Sequence, residues 1–172
     1  MKATLEVINQ MEKAGVIGHY AIGGAVGATF YLEPAATLDI DVFVSFRGAP
    51  GATLISLTPI YDYLLARGFT AEKEYIVIGG WPVQFLPPGN ALVEEALAQA
   101  VETEVEGIRT RVMTAEHLTA IALQTGRPKD AARILQFIES GTLDAARLEG
   151  ILQRHGLVAK WKQFGDKYRS DK

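Results

Sequence analysis

Two aspartates, Asp39 and Asp41, stand two residues apart in the run LDIDVFV, downstream of the pair Gly23-Gly24. On an extended chain successive side chains alternate between faces, so Asp39 and Asp41 share one face, with Leu38, Ile40 and Val42 on the other. Two carboxylates so placed suit a divalent cation of the magnesium type, which takes one or two carboxylates and keeps its other positions for substrate phosphates. The apolar run 38–46 is able to bury such a strand, where two acids without a cation would be costly. The glycines offer complementary chemistry. Backbone amides approach phosphate oxygens most easily where side chains are absent, and a helix beginning there turns its positive end toward an anion.

The elements that must position these residues follow from local pattern. Tyr20, Ala21 and Ile22 read as a short buried strand, Gly23-Gly24 as a turn, 25–32 as a helix and 38–44 as the acid-bearing strand. Leu5, Ile8, Met11 and Ala14 recur at helical spacing ahead of them, and Gly15 and Gly18 bracket the exit. Downstream, Arg47 to Gly51 is a loop signal, Pro59 suits the first turn of a helix running to about Arg67, and Gly68 caps it. Residues 74–78 and 81–86 flank Gly79-Gly80 as a β-hairpin, whose second strand at Pro82 is either an edge or only begins beyond it. Pro87 to Asn90 close the hairpin, 91–100 is helical, and 102–112 forms one or two short strands around Gly107. Thr114-Ala115-Glu116 opens a helix, helical periodicity returns in 131–138, 145–152 and 158–168, these segments are punctuated by Gly126-Arg127-Pro128, Gly141 and Gly156, and the tail 167–172 frays. The expected fold is α/β of the α+β kind: a mixed sheet flanked by helices over residues 1–112, then a helical bundle over 113–172.

Bulk properties narrow the function classes. The chain has 172 residues, 48% of them apolar, enough for a sizeable core. A net charge of −3 argues against a broad grip on duplex DNA. The absence of cysteine excludes disulfides, thiolate metal sites and a cysteine nucleophile. No segment has the apolar length of a membrane span or the pattern of a secretory signal, so a cytoplasmic location is expected.

The order Gly23-Gly24, helix, then Asp39-Ile40-Asp41 on a strand resembles the nucleotidyltransferase superfamily, the polymerase-beta-like fold. A second stretch, LTAIALQTGRPKD from Leu118 to Asp130, resembles the helix and turn of the AbiE-type toxin nucleotidyltransferases and their small relatives. The resemblance implies a nucleotidyltransferase-like sheet and a nucleoside triphosphate against Gly23 and Gly24, with Lys129 and Asp130 also at the nucleotide. It further implies Mg²⁺ on Asp39 and Asp41 and transfer of a nucleoside monophosphate to a hydroxyl of RNA, protein or a small molecule. A cognate partner in a toxin-antitoxin system is implied as well.

Three positions depart from that pattern. Gln84 stands where a third carboxylate is expected on the later strand, and a neutral amide cannot accept a proton from an attacking hydroxyl. Ala122 replaces a helical lysine, and Arg133 replaces an aspartate. A substitute acid exists in Glu74, subject to register: a two-residue hairpin turn sets Tyr75 on Gln84's face, a three-residue turn sets Glu74 there. A catalytically degenerate, nucleotide-binding or protein-binding chain is therefore the alternative reading.

Plainer roles stand beside these. Thr29 fits the sheet better than a phosphate, and Arg47 fits an exposed loop. Arg127, Lys129 and Asp130 either close over a nucleotide or cap the following helix. His19, His117 and His155 lack metal-ligand spacing, and Tyr31, Tyr61, Tyr63 and both tryptophans read as core or edge aromatics.

Overall fold

The computed structural model describes residues 1–33, 37, 39–46 and 56–169. Leu38, Arg47 and the rest of the loop expected at 47–51, and the tail's last residues, 170–172, lie outside them.

A mixed sheet runs in the order β3-β4-β5-β2-β1-β7-β6. Its strands are β1 (Tyr20–Ile22), β2 (Ile40–Val44), β3 (Thr70–Glu72), β4 (Tyr75–Ile78), β5 (Trp81–Leu86), β6 (Val101–Val105) and β7 (Ile108–Val112). The helices are α1 (Lys2–Lys13), α2 (Gly24–Ala28), α3 (Thr58–Leu65), α4 (Ala91–Ala98), α5 (Ala115–Thr125), α6 (Pro128–Ser140), α7 (Ala145–Arg154) and α8 (Val158–Tyr168). Among the described residues no helix is long and apolar enough to cross a membrane.

Alternation decides which face of the sheet does what. On β2, Ile40, Val42 and Val44 are fully buried, while Asp41 and Phe43 point to the opposite side. The buried set joins Ile76, Ile78, Val83 and Phe85 of the β4–β5 hairpin and Leu5 and Ile8 of α1 in one core cluster. Each such side chain contributes about 1.5–3 kcal/mol by leaving water. On the other face, Ala21, Ala28, Val93, Met113, Leu118 and Phe137 form a second cluster that joins the sheet to α4, α5 and α6. A third cluster holds α5 to α8 together with Leu92 of α4. The division expected after Val112 falls between β7 and α5, and the second cluster spans it.

Local rules account for most element ends. Asn90 caps α4 by accepting from Val93 N at 3.0 Å, and the side chain of Thr114 caps α5 from His117 N. Gly126 and Gly141 end α5 and α6 in the left-handed conformation. Pro82 lies opposite Val77, one rung before β2 begins to pair with β5 at Val83, so its missing N–H leaves no bond of the ladder unmade.

Two expectations need correction. The helix expected over 25–32 stops at Ala28. Thr29 bonds back through its hydroxyl to Val26 O at 2.7 Å, and Phe30 and Tyr31 N–H donate to carbonyls three residues behind, which tightens and ends the turn. Glu74, expected on a strand, instead occupies the turn between β3 and β4, next to Lys73 with φ +57°. Strand β3 was not expected at all; its three residues are exposed and carry no apolar alternation.

Candidate nucleotide and cation site

The site grows from the junction of β1, α2 and β2. Gly23 N–H donates to Asp41 O at 3.0 Å, extending the antiparallel β1–β2 ladder to the acid. The Gly23 amide is thereby taken, and the amides left for an anion are those of the first turn of α2, which have no acceptor inside the helix. Both glycines make room for side chains of β2. A Cβ on Gly23 would approach the Phe43 ring to 2.6 Å, and one on Gly24 would overlap the Asp41 carboxylate. Gly24 also has φ +58°, a conformation costly to other residues.

Replacing Gly24 by alanine is accordingly expected to cost about 1–3 kcal/mol of stability and to displace the Asp41 carboxylate. Urea unfolding and a divalent-cation titration of the variant check both effects; an unchanged cation affinity would show that Asp41 does not depend on this cradle.

Asp39 and Asp41 are half-buried and line a cavity of about 490 Å³ together with Gly24, Thr37, Tyr75 and Gln84. Arg127, Lys129 and Arg133 of the α5–α6 junction and α6 close its other side. The Asp41 carboxylate makes no hydrogen bond or ion pair among the described residues. Burial raises its pKa above the usual carboxylate range, and the neighbouring Asp39 raises it further, while Arg127, Lys129 and Arg133 partly offset both. An acid seated at such a cost without a partner, on a cradle that a Cβ would fill, fits a cation ligand.

A second cavity, about 370 Å³, shares Gly24, Asp41, Gln84, Arg127 and Arg133 with the first. It continues between the sheet and α4–α5 along Phe43, Leu86, Met113, Leu118, Ile121 and Ala122. Its polar rim is the pair Asn90 and Gln124, joined by an amide hydrogen bond of 2.9 Å. Asp41 thus stands where a charged cavity meets a mostly apolar one.

Register answers the question of the third carboxylate. In the parallel β2–β5 pair Asp41 lies beside Gln84. In the β4–β5 hairpin Ile76 faces Val83 across the two-residue Gly79-Gly80 turn, so the next rung brings Tyr75 to Gln84. Tyr75 shares the cavity with the aspartates, and its hydroxyl pKa is raised by desolvation first and then by Asp39, Glu74 and Asp41, which keeps it a donor. Glu74 is exposed in its turn and does not line the cavity, although its carboxylate acts on the Tyr75 hydroxyl. Among the described residues no group of three His, Cys, Asp or Glu is arranged to hold a metal.

The turn before α6 caps that helix and borders the cavities. Asp130 is 1% exposed and accepts from Arg127 three times, from the backbone N–H at 3.1 Å, from Nε at 2.7 Å and from Nη2 at 3.1 Å. Burial pushes the Asp130 pKa up, but these bonds outweigh it and hold the carboxyl below its ordinary value. Asp130 is thus spent on capping α6 and on fixing Arg127, whose guanidinium borders both cavities. Lys129 borders the charged cavity and has no ion pair among the described residues. Arg133, 3.9 Å from Asp130, borders both cavities, a placement the sequence pattern marked only as a departure.

No family model matches the chain, and no curated protein does. Solved structures do resemble it. One is an antigenic nucleotidyltransferase-like protein from Paracoccidioides brasiliensis, with a TM-score of 0.57 and 15% identity over 94% of this chain and 91% of that chain. Another is ANT(2'')-Ia in complex with adenylyl-2''-tobramycin, with a TM-score of 0.50 and 17% identity over 91% of this chain and 98% of the other. The solution structure of the antibiotic-resistance factor ANT(2'')-Ia gives a TM-score of 0.50 and 16% identity, covering 98% of this chain and 97% of that one. At such identities the likeness is one of backbone architecture: the chain has a nucleotidyltransferase-like fold.

Proposed function

We propose that this chain transfers a nucleoside monophosphate from a nucleoside triphosphate to a hydroxyl acceptor, with Mg²⁺ held by Asp39 and Asp41. The observation that carries this reading is the unpartnered Asp41 carboxylate, seated over Gly24 in a cavity it shares with Asp39 and three cationic side chains. A bound Mg²⁺ would neutralise charge on the transferred phosphoryl group. The first-turn amides of α2 near Gly23 and Gly24, with Arg127 and Lys129, hold the phosphates, and Asp130 acts through Arg127. The apolar cavity beyond Asp41 suits the flat face of a base. The acceptor oxygen bonds to the α-phosphorus as the bond to pyrophosphate breaks. Its proton passes to water, because the neutral Gln84 cannot take it.

RNA, protein and small molecules all offer such a hydroxyl. A small-molecule acceptor draws support from ANT(2'')-Ia, whose complex holds adenylyl-2''-tobramycin. The AbiE-type relationship rests on the stretch 118–130, whose last turn borders both cavities here. The same reading places the protein in the cytoplasm, where triphosphates and Mg²⁺ are available.

The test is a transfer assay with purified protein, labelled triphosphates, Mg²⁺ and a panel of RNA, protein and small hydroxylated acceptors. Label is expected on one acceptor class, and Mg²⁺-dependent transfer that persists in Asp41→Asn would remove the proposed site. Gln84 favours a second reading, a chain that binds a nucleotide without turnover, alone or beside an antitoxin-like partner. Calorimetry separates the two, since binding without transfer to any acceptor supports the second.

A further inference from the structure

The sheet face carrying Asp41 continues sideways through Gln84 to Tyr75, and both neighbours are neutral. A second divalent cation beside the first would need anionic oxygen on this row. An amide carbonyl and a protonated phenol give it no charge. The remaining candidate, Glu74, is exposed in the turn before β4. Across the same cavity the wall is positive. Arg127 is fixed by Asp130, and Arg133 and Lys129 stand beside it, all within electrostatic reach of Asp41. Two carboxylates therefore face Lys129, Arg133 and an Arg127 that is paired with Asp130, a field that favours phosphate and opposes a further metal ion.

We infer that this site takes one divalent cation per bound triphosphate, and that Arg127, at the start of α6, and Arg133, within it, supply the positive charge a second cation would bring. The inference rests on the reading of Asp39 and Asp41 as the ligands of the first cation. Gln84 sets the count by being neutral, and Asp130 sets the position of Arg127 by accepting two bonds along one edge of its guanidinium.

The experiment counts Mn²⁺ per chain by electron paramagnetic resonance, with the whole protein saturated by a non-hydrolysable ATP analogue, alongside calorimetric titration of that analogue. The wild-type chain is expected to hold one ion, and Gln84→Asp two. Gln84→Glu serves as the second variant should the shorter acid unsettle the fold, which circular dichroism reports. Arg133→Gln is expected to keep the count at one and to weaken the analogue roughly tenfold. Two ions on the wild-type chain overturn the inference and leave Asp39 and Asp41 as ligands. No gain of an ion in either folded Gln84 variant also overturns it, as does unchanged analogue affinity in Arg133→Gln. No ion on the wild-type chain sinks the first-cation reading itself, and this inference with it.

Discussion

Asp41→Asn is expected to abolish Mg²⁺-dependent nucleotide binding and transfer, lowering any measured rate by about a hundredfold or more, while leaving the protein folded. The direction of the stability change follows from the position of the acid. Burial and Asp39 raise the Asp41 pKa, so the folded state prefers the protonated acid and ionised Asp41 costs stability. That cost grows as the pH rises from the ordinary carboxylate value through the folded one, and it is fully present above the folded one. An asparagine carries no such cost. The variant's melting temperature at pH 7 and no metal is therefore expected to equal or exceed that of the wild type, and the difference is expected to vanish in acid. Differential scanning calorimetry at pH 7 and pH 3, with and without Mg²⁺, reads both effects. A variant that melts lower at pH 7 without metal would mean that Asp41 serves the fold and not a ligand.

Glu95 is the opposite case, an acid whose charge holds the fold together. On α4 it accepts from His117 Nε2 at 3.1 Å, His155 Nε2 at 2.7 Å and Arg154 Nη2 at 2.6 Å, tying α4 to α5 and to the end of α7. Arg154 first, then the two histidines, outweigh desolvation and pull its pKa down to about 2. His117 is fully buried, and burial lowers its pKa, so near neutral pH its Nε2–H donates to Glu95 and its Nδ1 accepts from the Thr114 hydroxyl at 2.8 Å. Glu95→Gln is expected to cost about 2 kcal/mol, less than a wholly buried pair because Arg154 is half-exposed, and to lower the melting temperature by about 4–8 °C. The pH window follows from the signs. Glu95 stabilises above its unfolded value of 4.5, and that contribution is lost as the pH falls toward about 2. His117, whose folded pKa lies below its ordinary value of 6.5, begins to cost stability as the pH drops through that value. Urea unfolding between pH 7 and pH 2.5 is expected to show the gap between wild type and Glu95→Gln closing below pH 4.5. A constant gap would assign the loss to packing rather than charge.

The parts legible in the sequence were those set by local chemistry. Strand β1, the alternation of β2, the Gly79-Gly80 hairpin and the starts of α4 and α5 all follow from neighbours within a few residues. The short α2 was not legible, because the back-bond from Thr29 competes with a helical composition that otherwise continues. Strand β3 escaped notice because its reversal at Lys73 has neither glycine nor asparagine to mark it. Within the site, composition put the two aspartates beside a glycine turn. Whether Tyr75 or Glu74 joins them is a matter of strand register, which no local pattern carries. The Glu95 hub was invisible for a related reason: its partners lie 22 to 60 residues away, so histidines that look scattered along the chain meet only after α5 and α7 pack on α4.

The two-residue tip Gly79-Gly80 also acts as a counter. Because faces alternate with every residue, its even length keeps Tyr75 on the same side of the sheet as Gln84 and Asp41, and keeps Ile76 with the core. One inserted residue would swap an aromatic hydroxyl for a buried isoleucine along the whole strand unless a bulge absorbed it. Length changes at this tip should therefore be tolerated in pairs, and a chain altered there by an odd number would lose the polar lining of the cavity together with the apolar packing behind it.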